Sequence, residues 1–334
     1  MQKKVYIITP AYNAADFITS TIESVLLQTY KNWNLVIVDD SSTDDTRDIV
    51  SNISKKESRI ILLDSVEDRN LGPAHARNLG MDYALKHDAD FLFFLDSDDT
   101  YEPTYLEKML IVAEEYNADV VWCNYNDCLV EHKKEGKIVS HNLPFAILEP
   151  QEAMKQFFFQ TSSLGSMWNK CYRASFINRY RIRLNEQRVR AEDWEFNLVL
   201  FDKKPRIVPI EDALYNYVHQ ERPSVMTTFR ENDFELYKRS VVLLKAVASK
   251  WNLENYMHLV YENYVYNTIC YLSHGLQTGM ETIKWINVCK DNDLQDAIRR
   301  NNNSEWLTLK HRMYIFLIRM RMYSLLKHIM YYLR

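Results

Sequence analysis

Glycine is scarce here: six in 334 residues, and none before Gly72. TPAYNAADF, which follows the first candidate strand, therefore has no glycine. That argues against the Gly-rich phosphate loop expected of a nucleotidyltransferase at this point. With only eight prolines as well, neither disorder nor low-complexity tracts are expected. No run of about 18 uncharged apolar residues occurs, so no helix is expected to span a bilayer. The opening MQKKVYIITPAYNAADF, interrupted by Pro10, Asn13 and Asp16, does not read as a secretory signal. Basic charge is not in excess: 41 Lys and Arg face 45 Asp and Glu, a formal charge of −4. Nucleic acid is not an expected partner. Five scattered cysteines (Cys123, Cys128, Cys171, Cys270, Cys289) lack zinc-ligand spacing and read as reduced, mostly buried thiols of a cytoplasmic protein.

What is present is 47% hydrophobic residues, enough for one large domain or two ordinary ones. The first part alternates apolar strands (KVYIIT, NLVIVDD, RIILLD, DFLFFLD, DVVWCNY) with helical patterns. Asp16 is placed to cap the helix in DFITSTIESVLLQ, and Ser42 with Asp45 to form a capping box for the next. This rhythm predicts an α/β fold, a mostly parallel sheet covered by helices on both faces. In such sheets ligands bind beyond the carboxyl ends of the strands. Asn13, Asp39, Asp40 and the cluster Asp96, Asp98, Asp99 fall there. From about residue 126 the pattern changes: two extended pieces around Glu135–Gly136–Lys137, a helix in PQEAMKQFFFQ, then the extended SMWNKCYRASF. Past Pro223 the pattern is nearly all helical, with a domain boundary expected near residue 230.

FLFFLDSDDT, residues 91–100, sets a buried strand against three carboxylates. Read as strand, it sends Asp96 and Asp98 to the same side, two hard oxygen ligands suited to Mg2+ or Mn2+ shared with substrate phosphates. The alternative is a solvated turn capping the helix that starts near Pro103. In RVRAEDWEFNLVLF, Glu192 and Asp193 open a helix; Asp193 is either its cap or a general base.

ITPAYNAADFITSTIESVLLQTYKNWNLVIVDDSSTDDT, followed by NLGPAHARNLG and FLFFLDSDDTY, resembles the nucleotide-sugar half of the family 2 glycosyltransferases with their GT-A fold, over about residues 3–125. A weaker continuation runs to about residue 225, giving a catalytic domain over 1–229, with an acceptor half from 126, and a helical region over 230–334. The resemblance implies that Ala11, Tyr12 and Asn13 border the nucleoside and that Asp39 accepts from the uracil imide, with Asp40 as a supporting neighbour. Arg77 would face the diphosphate; otherwise it pairs with Asp82 on a helix surface. Asp96 and Asp98 would form the metal-binding Asp-x-Asp, and Asp193 would be the base. On the acceptor side, Glu192 neighbours the base, Trp168 would stack on a sugar and Lys170 would face an anionic group, unless these two are core and surface. YNYVHQERPSVMT resembles the loop closing over the diphosphate, with His219, Arg222 and Ser224 as candidates. Val218 departs from the basic residue expected after the tyrosine.

The last stretch, LKHRMYIFLIRMRMYSLLKHIMYYLR, holds Lys310, Arg312, Arg319, Arg321, Lys327 and Arg334 and no acid. Phe316, Leu317, Met320, Leu325 and Ile329 can share one side of a helix. That describes an in-plane membrane helix or one packed on the catalytic domain or a second subunit. The expectation is an inverting, Mn2+- or Mg2+-dependent transferase, cytoplasmic or peripheral on the inner membrane face. It would move a hexosyl or N-acetylhexosaminyl unit from a UDP-sugar to a glycan or lipid-linked acceptor of a bacterial surface polysaccharide. A nucleotidyltransferase and a non-catalytic membrane-peripheral nucleotide-binding protein are the alternatives.

Overall fold

The structure, a computed structural model, describes residues 2–65, 69–129, 137–139, 145–159, 165–188, 190–219, 229–300 and 308–332. The chain divides into two compact units, Met1–Arg222 and Pro223–Arg334.

The first unit is built on β1 (Val5–Ala11), α1 (Ile18–Leu26), β2 (Trp33–Asp39), α2 (Thr46–Ser54), β3 (Ile60–Asp64), α3 (Pro73–Lys86) and β4 (Phe91–Phe94). It continues through β5 (Thr100–Tyr101), α4 (Tyr105–Glu115), β6 (Val120–Leu129), β7 (Lys137–Val139), α5 (Pro150–Phe159), β8 (Lys170–Arg173), α6 (Ala174–Tyr180), α7 (Glu192–Phe201) and β9 (Ile207–His219). One nine-stranded sheet runs in the order β3-β2-β1-β4-β8-β6-β9-β5, with β7 on β6. Strands β3, β2, β1 and β4 are parallel, because each is joined to the next in the chain by a helix. Beyond them the sheet is mixed: β8 runs antiparallel to β4 and β6, while β6 and β9 are parallel. Of the expected extended SMWNKCYRASF only Lys170–Arg173 is strand, and helix α6 starts at once at Ala174.

Alternate residues of the strands serve opposite faces. Ile7, Leu35, Ile37 and Phe93 pack with Ile18, Ile22, Leu106 and Met109 of α1 and α4. On the other face α3 approaches so closely that a Cβ on Gly80 would lie 2.5 Å from Ile8 Cγ2. The predicted caps are not made. The Ala14 carbonyl already takes the amides of Phe17 and Ile18, leaving α1 without a side-chain cap. For α2, Asp44 accepts from the Thr46 amide at 3.0 Å, and Ser42 is used elsewhere, by Asn13.

The second unit is helical: α8 (Asp233–Trp251), α9 (Met257–Gln277), α10 (Thr282–Lys290), α11 (Asn292–Arg300), α12 (Leu309–Arg319) and α13 (Tyr323–Tyr332). The long α9 is its spine, packed by α8, α11, α12 and α13. Trp285 is fully buried and its indole donates to the Leu272 carbonyl at 3.1 Å. The expected single tail helix is two, because Arg321 turns left-handed at φ 57°. Leu317 faces inward, buried, whereas Phe316, Met320 and Leu325 are exposed. Among the described residues no helix is long and apolar enough to cross a membrane.

Candidate functional site

Because β1, β2 and β4 are parallel neighbours, their carboxyl ends lie along one edge of the sheet. Past β1, Asn13 adopts φ 50°. Its amide donates to Ser42 Oγ at 3.0 Å, and its side-chain oxygen takes the Thr43 amide at 2.8 Å. The Ala14 amide donates to Thr46 Oγ1 at 2.7 Å. The loops after β1 and β2 are thereby stitched together, with Ala11 buried under them and Tyr12 exposed. Asp39, 3% exposed, uses Oδ2 to accept the Ser42 amide at 3.2 Å, while its buried Oδ1 has no hydrogen-bond partner among the described residues. A buried acceptor left this way costs about 1–3 kcal/mol until a donor arrives. Asp40 is a support: it accepts the amides of Leu71 and Gly72, the latter at 2.6 Å. Gly72, at φ 95°, leads into α3.

The acidic cluster is a turn and not strand. β4 stops at Phe94, and the Asp99 amide closes back on the Asp96 carbonyl at 3.2 Å. Strand alternation therefore does not relate Asp96 to Asp98. Thr21 Oγ1 of α1 donates to the carbonyls of Ser97 and Asp99 and holds the turn from below. Asp99 is the buried member. It accepts the Tyr215 hydroxyl at 2.6 Å and the Val218 amide at 2.7 Å. Burial first, then Asp96 and Asp98, raise its pKa well above the ordinary range. Tyr215 also accepts the Asp96 amide at 3.3 Å, making it a hub that the sequence did not single out.

Arg77 does not pair with Asp82, which binds Arg183, and it is 7% exposed. Its guanidinium bridges Asp96 Oδ1 at 2.7 Å and Glu192 Oε1 at 2.8 Å. The first residue of α7 is thus tied to the acidic turn. Glu192 is itself buried in this ion pair and not free for an acceptor. Asp193 follows, partly exposed, behind Ala191 in a left-handed conformation at φ 55°. Its Oδ1 takes the Trp194 amide at 2.7 Å. Burial, then the Glu192 charge, push its pKa up to about 7 against the pull of Arg77. A carboxylate so tuned can both accept and release a proton near neutrality.

The remaining candidates divide. Lys170 is fully buried, not facing an acceptor. Its ammonium donates to the Ser166 carbonyl at 2.6 Å and Asn169 Oδ1 at 3.0 Å. Burial lowers its pKa to about 7, with Asp193 opposing. Asn197 of α7 donates to the same Ser166 carbonyl at 3.0 Å, so the residues beneath the base form one polar network. Trp168 is stacked on Tyr215 at 4.4 Å and Tyr217 at 5.7 Å, an aromatic cluster that engages the ring expected to meet a sugar. His219 ends β9 paired with Asp127. Arg222 and Ser224 lie outside the described residues.

No group of three or more His, Cys, Asp or Glu that could hold a metal occurs among the described residues. Two hard carboxylates, Asp96 and Asp98, one of them half occupied by Arg77, nevertheless suit a divalent ion that completes its shell with water and phosphate oxygens.

A parallel half-sheet with a carboxylate and an acidic turn at its carboxyl edge, that turn tied through Arg77 to the acids opening α7 and the sheet continued by a mixed half, is the GT-A architecture. The chain belongs to glycosyl transferase family 2, whose match covers residues 6–180, just over half of it. EpsH of Bacillus subtilis is 27% identical over 317 residues, 90% of this chain and 87% of EpsH. The Escherichia coli UDP-Glc:alpha-D-GlcNAc-diphosphoundecaprenol beta-1,3-glucosyltransferase WfgD is 41% identical over 136 residues, 41% of this chain and 51% of WfgD. The chain spans between 18% and 62% of the length of other relatives it matches. Residues 1–349 of Staphylococcus aureus TarS, solved in complex with UDP-GlcNAc, share the fold at TM-score 0.68 and 21% identity, covering 97% of this chain and 89% of that one.

Proposed function

We propose that this family 2 glycosyltransferase is an inverting enzyme that moves a hexose or N-acetylhexosamine from a UDP-sugar to a hydroxyl of a glycan in surface polysaccharide synthesis. The observation that carries the reading is Asp39, whose buried Oδ1 lacks a donor among the described residues, beside a stitched loop pair. Uracil offers an imide N–H there; cytosine, at the same ring position, offers an acceptor. The UDP-GlcNAc bound to TarS and the UDP-Glc named for WfgD support the same donor class.

Asp193 accepts the proton of the acceptor hydroxyl. That oxygen bonds to the anomeric carbon as the bond to UDP breaks, the electron pair leaving with the diphosphate. Arg77 and Glu192 hold α7 against the acidic turn, fixing the distance between base and donor. Asp96 and Asp98 would hold Mn2+ or Mg2+, which when bound supplies positive charge against the departing diphosphate. The donor and acceptor halves belong to the first unit. We assign the acceptor to a lipid-linked glycan, reached by an enzyme peripheral on the cytoplasmic membrane face; the diphosphoundecaprenol in WfgD's name supports that class.

The test is a screen of UDP-sugars with the purified chain, with and without Mn2+, read as nucleotide release. Free UDP from one sugar, stimulated by the ion, is expected. No UDP from any of these sugars, with pyrophosphate released instead from UTP and a sugar 1-phosphate, would overturn the reading in favour of nucleotidyl transfer.

A further inference from the structure

Helices α12 and α13 divide their residues sharply. Tyr314, Ile315, Leu317, Ile318, Leu326 and Met330 turn inward and are buried. The outward residues of α12 follow helical spacing, Leu309, Arg312, Phe316 and Met320, with Phe316 and Met320 each 57% exposed. Arg321, Met322 and Leu325 continue the exposed surface past the break. From Trp306 to Arg334 the sequence has six Lys and Arg and no Asp or Glu.

We infer that this face docks on a membrane carrying anionic phospholipid, with Phe316, Met320 and Leu325 entering the acyl boundary and the exposed Lys310 and Arg321 meeting phosphate. Three observations select this occupant. An α12 of 11 residues is about 16 Å long, too short to span a bilayer, so it lies in the plane. A second copy packed face to face would set the same acid-free, basic segment against itself, an arrangement that repels. A dissolved anionic polymer would satisfy the charges and leave the exposed Phe and Met without a role. Charge and apolarity on one face match a lipid surface. The inference rests on the membrane-bound acceptor proposed above for its purpose, though its test needs neither donor nor acceptor.

The experiment is flotation of the full chain with phosphatidylcholine vesicles, with and without phosphatidylglycerol. Wild type is expected to float with the anionic vesicles and at least about tenfold less with neutral ones. The pair Phe316→Ser, Met320→Ser and the pair Lys310→Gln, Arg321→Gln should each reduce anionic flotation by about tenfold, with UDP binding unchanged as the control for folding. Failure of wild type to float, or flotation indifferent to both pairs, overturns the inference. So does a concentration-dependent dimer that Phe316→Ser abolishes without affecting flotation, which would assign the face to self-association. Flotation without UDP release from any sugar would leave this inference standing and overturn the catalytic reading alone.

Discussion

Asp193, the proposed base, is held where a carboxylate is costly to ionise, and it is partly exposed. Its folded pKa of about 7 lies above its ordinary value of 3.8. Between those values the folded chain keeps a proton that the unfolded chain has released, so this group's contribution to stability falls as pH rises through the window. Asp193→Asn should therefore melt above wild type near about pH 8 and converge on it toward about pH 4. The same substitution should lower kcat by about 10²–10⁴-fold. Wild-type kcat/KM should lose about tenfold per pH unit below an acid limb near 7. Steady-state rates and calorimetric melts across pH read both effects. Arg77 poses a different question, since its two partners come from the acidic turn and from α7. Removing one member of a buried ion pair costs about 3–5 kcal/mol. Arg77→Met and Glu192→Gln should each be severe but together cost less than their sum, a coupling of about 1–3 kcal/mol in a double-mutant cycle on stability. Additive losses would show that Arg77 acts elsewhere.

At the scale of elements, the break between α12 and α13 is a defined C-terminal motif. The Met322 amide bonds the Leu317 carbonyl at 2.9 Å across Arg321, the pattern a glycine usually completes. Arginine carries a Cβ into the left-handed region, so Arg321→Gly should raise stability by about 0.5–1 kcal/mol in denaturant titration. A loss would mean that Arg321 makes contacts outweighing its backbone strain. The break also shows where the sequence stops being informative. Apolar periodicity runs through Met320 and Met322 without Gly or Pro, so nothing local announces it. By contrast β1 to β4 and their helices were legible, because continuous apolar strands alternate with amphipathic stretches and leave the acids at strand ends. Asp39 and Asp96 could thus be located, but their partners could not. Glu192 lies 115 residues from Arg77 and Tyr215 116 from Asp99, and such pairings follow from the tertiary fold. Lys170 misled for the same reason, since a Trp-x-Lys spacing does not reveal that the ammonium is enclosed.

For the whole molecule, the first unit's sheet edge carries Asp39, the proposed nucleoside reader, at the end of β2 and an acidic turn after β4, and their independence can be measured. Asp39 needs an acceptor at both oxygens, Oδ2 for the Ser42 amide and Oδ1 for the base. Asparagine offers only one, so Asp39→Asn sets a donor against a donor and should weaken UDP by about 1–3 kcal/mol with or without metal. Asp98→Asn leaves the nucleoside end untouched and removes one hard oxygen from the turn. Its metal-free UDP affinity should equal wild type, while the gain on adding Mn2+ should largely vanish. Calorimetric titration of UDP into the full chain and both variants, each with and without Mn2+, separates the two contributions. Their free energies should add, because Asp39 ends β2 whereas Asp98 lies in the turn after β4. If Asp98→Asn instead weakened UDP in the absence of metal, the acidic turn would be shaping the nucleotide pocket directly, and its part in holding an ion would lose its support.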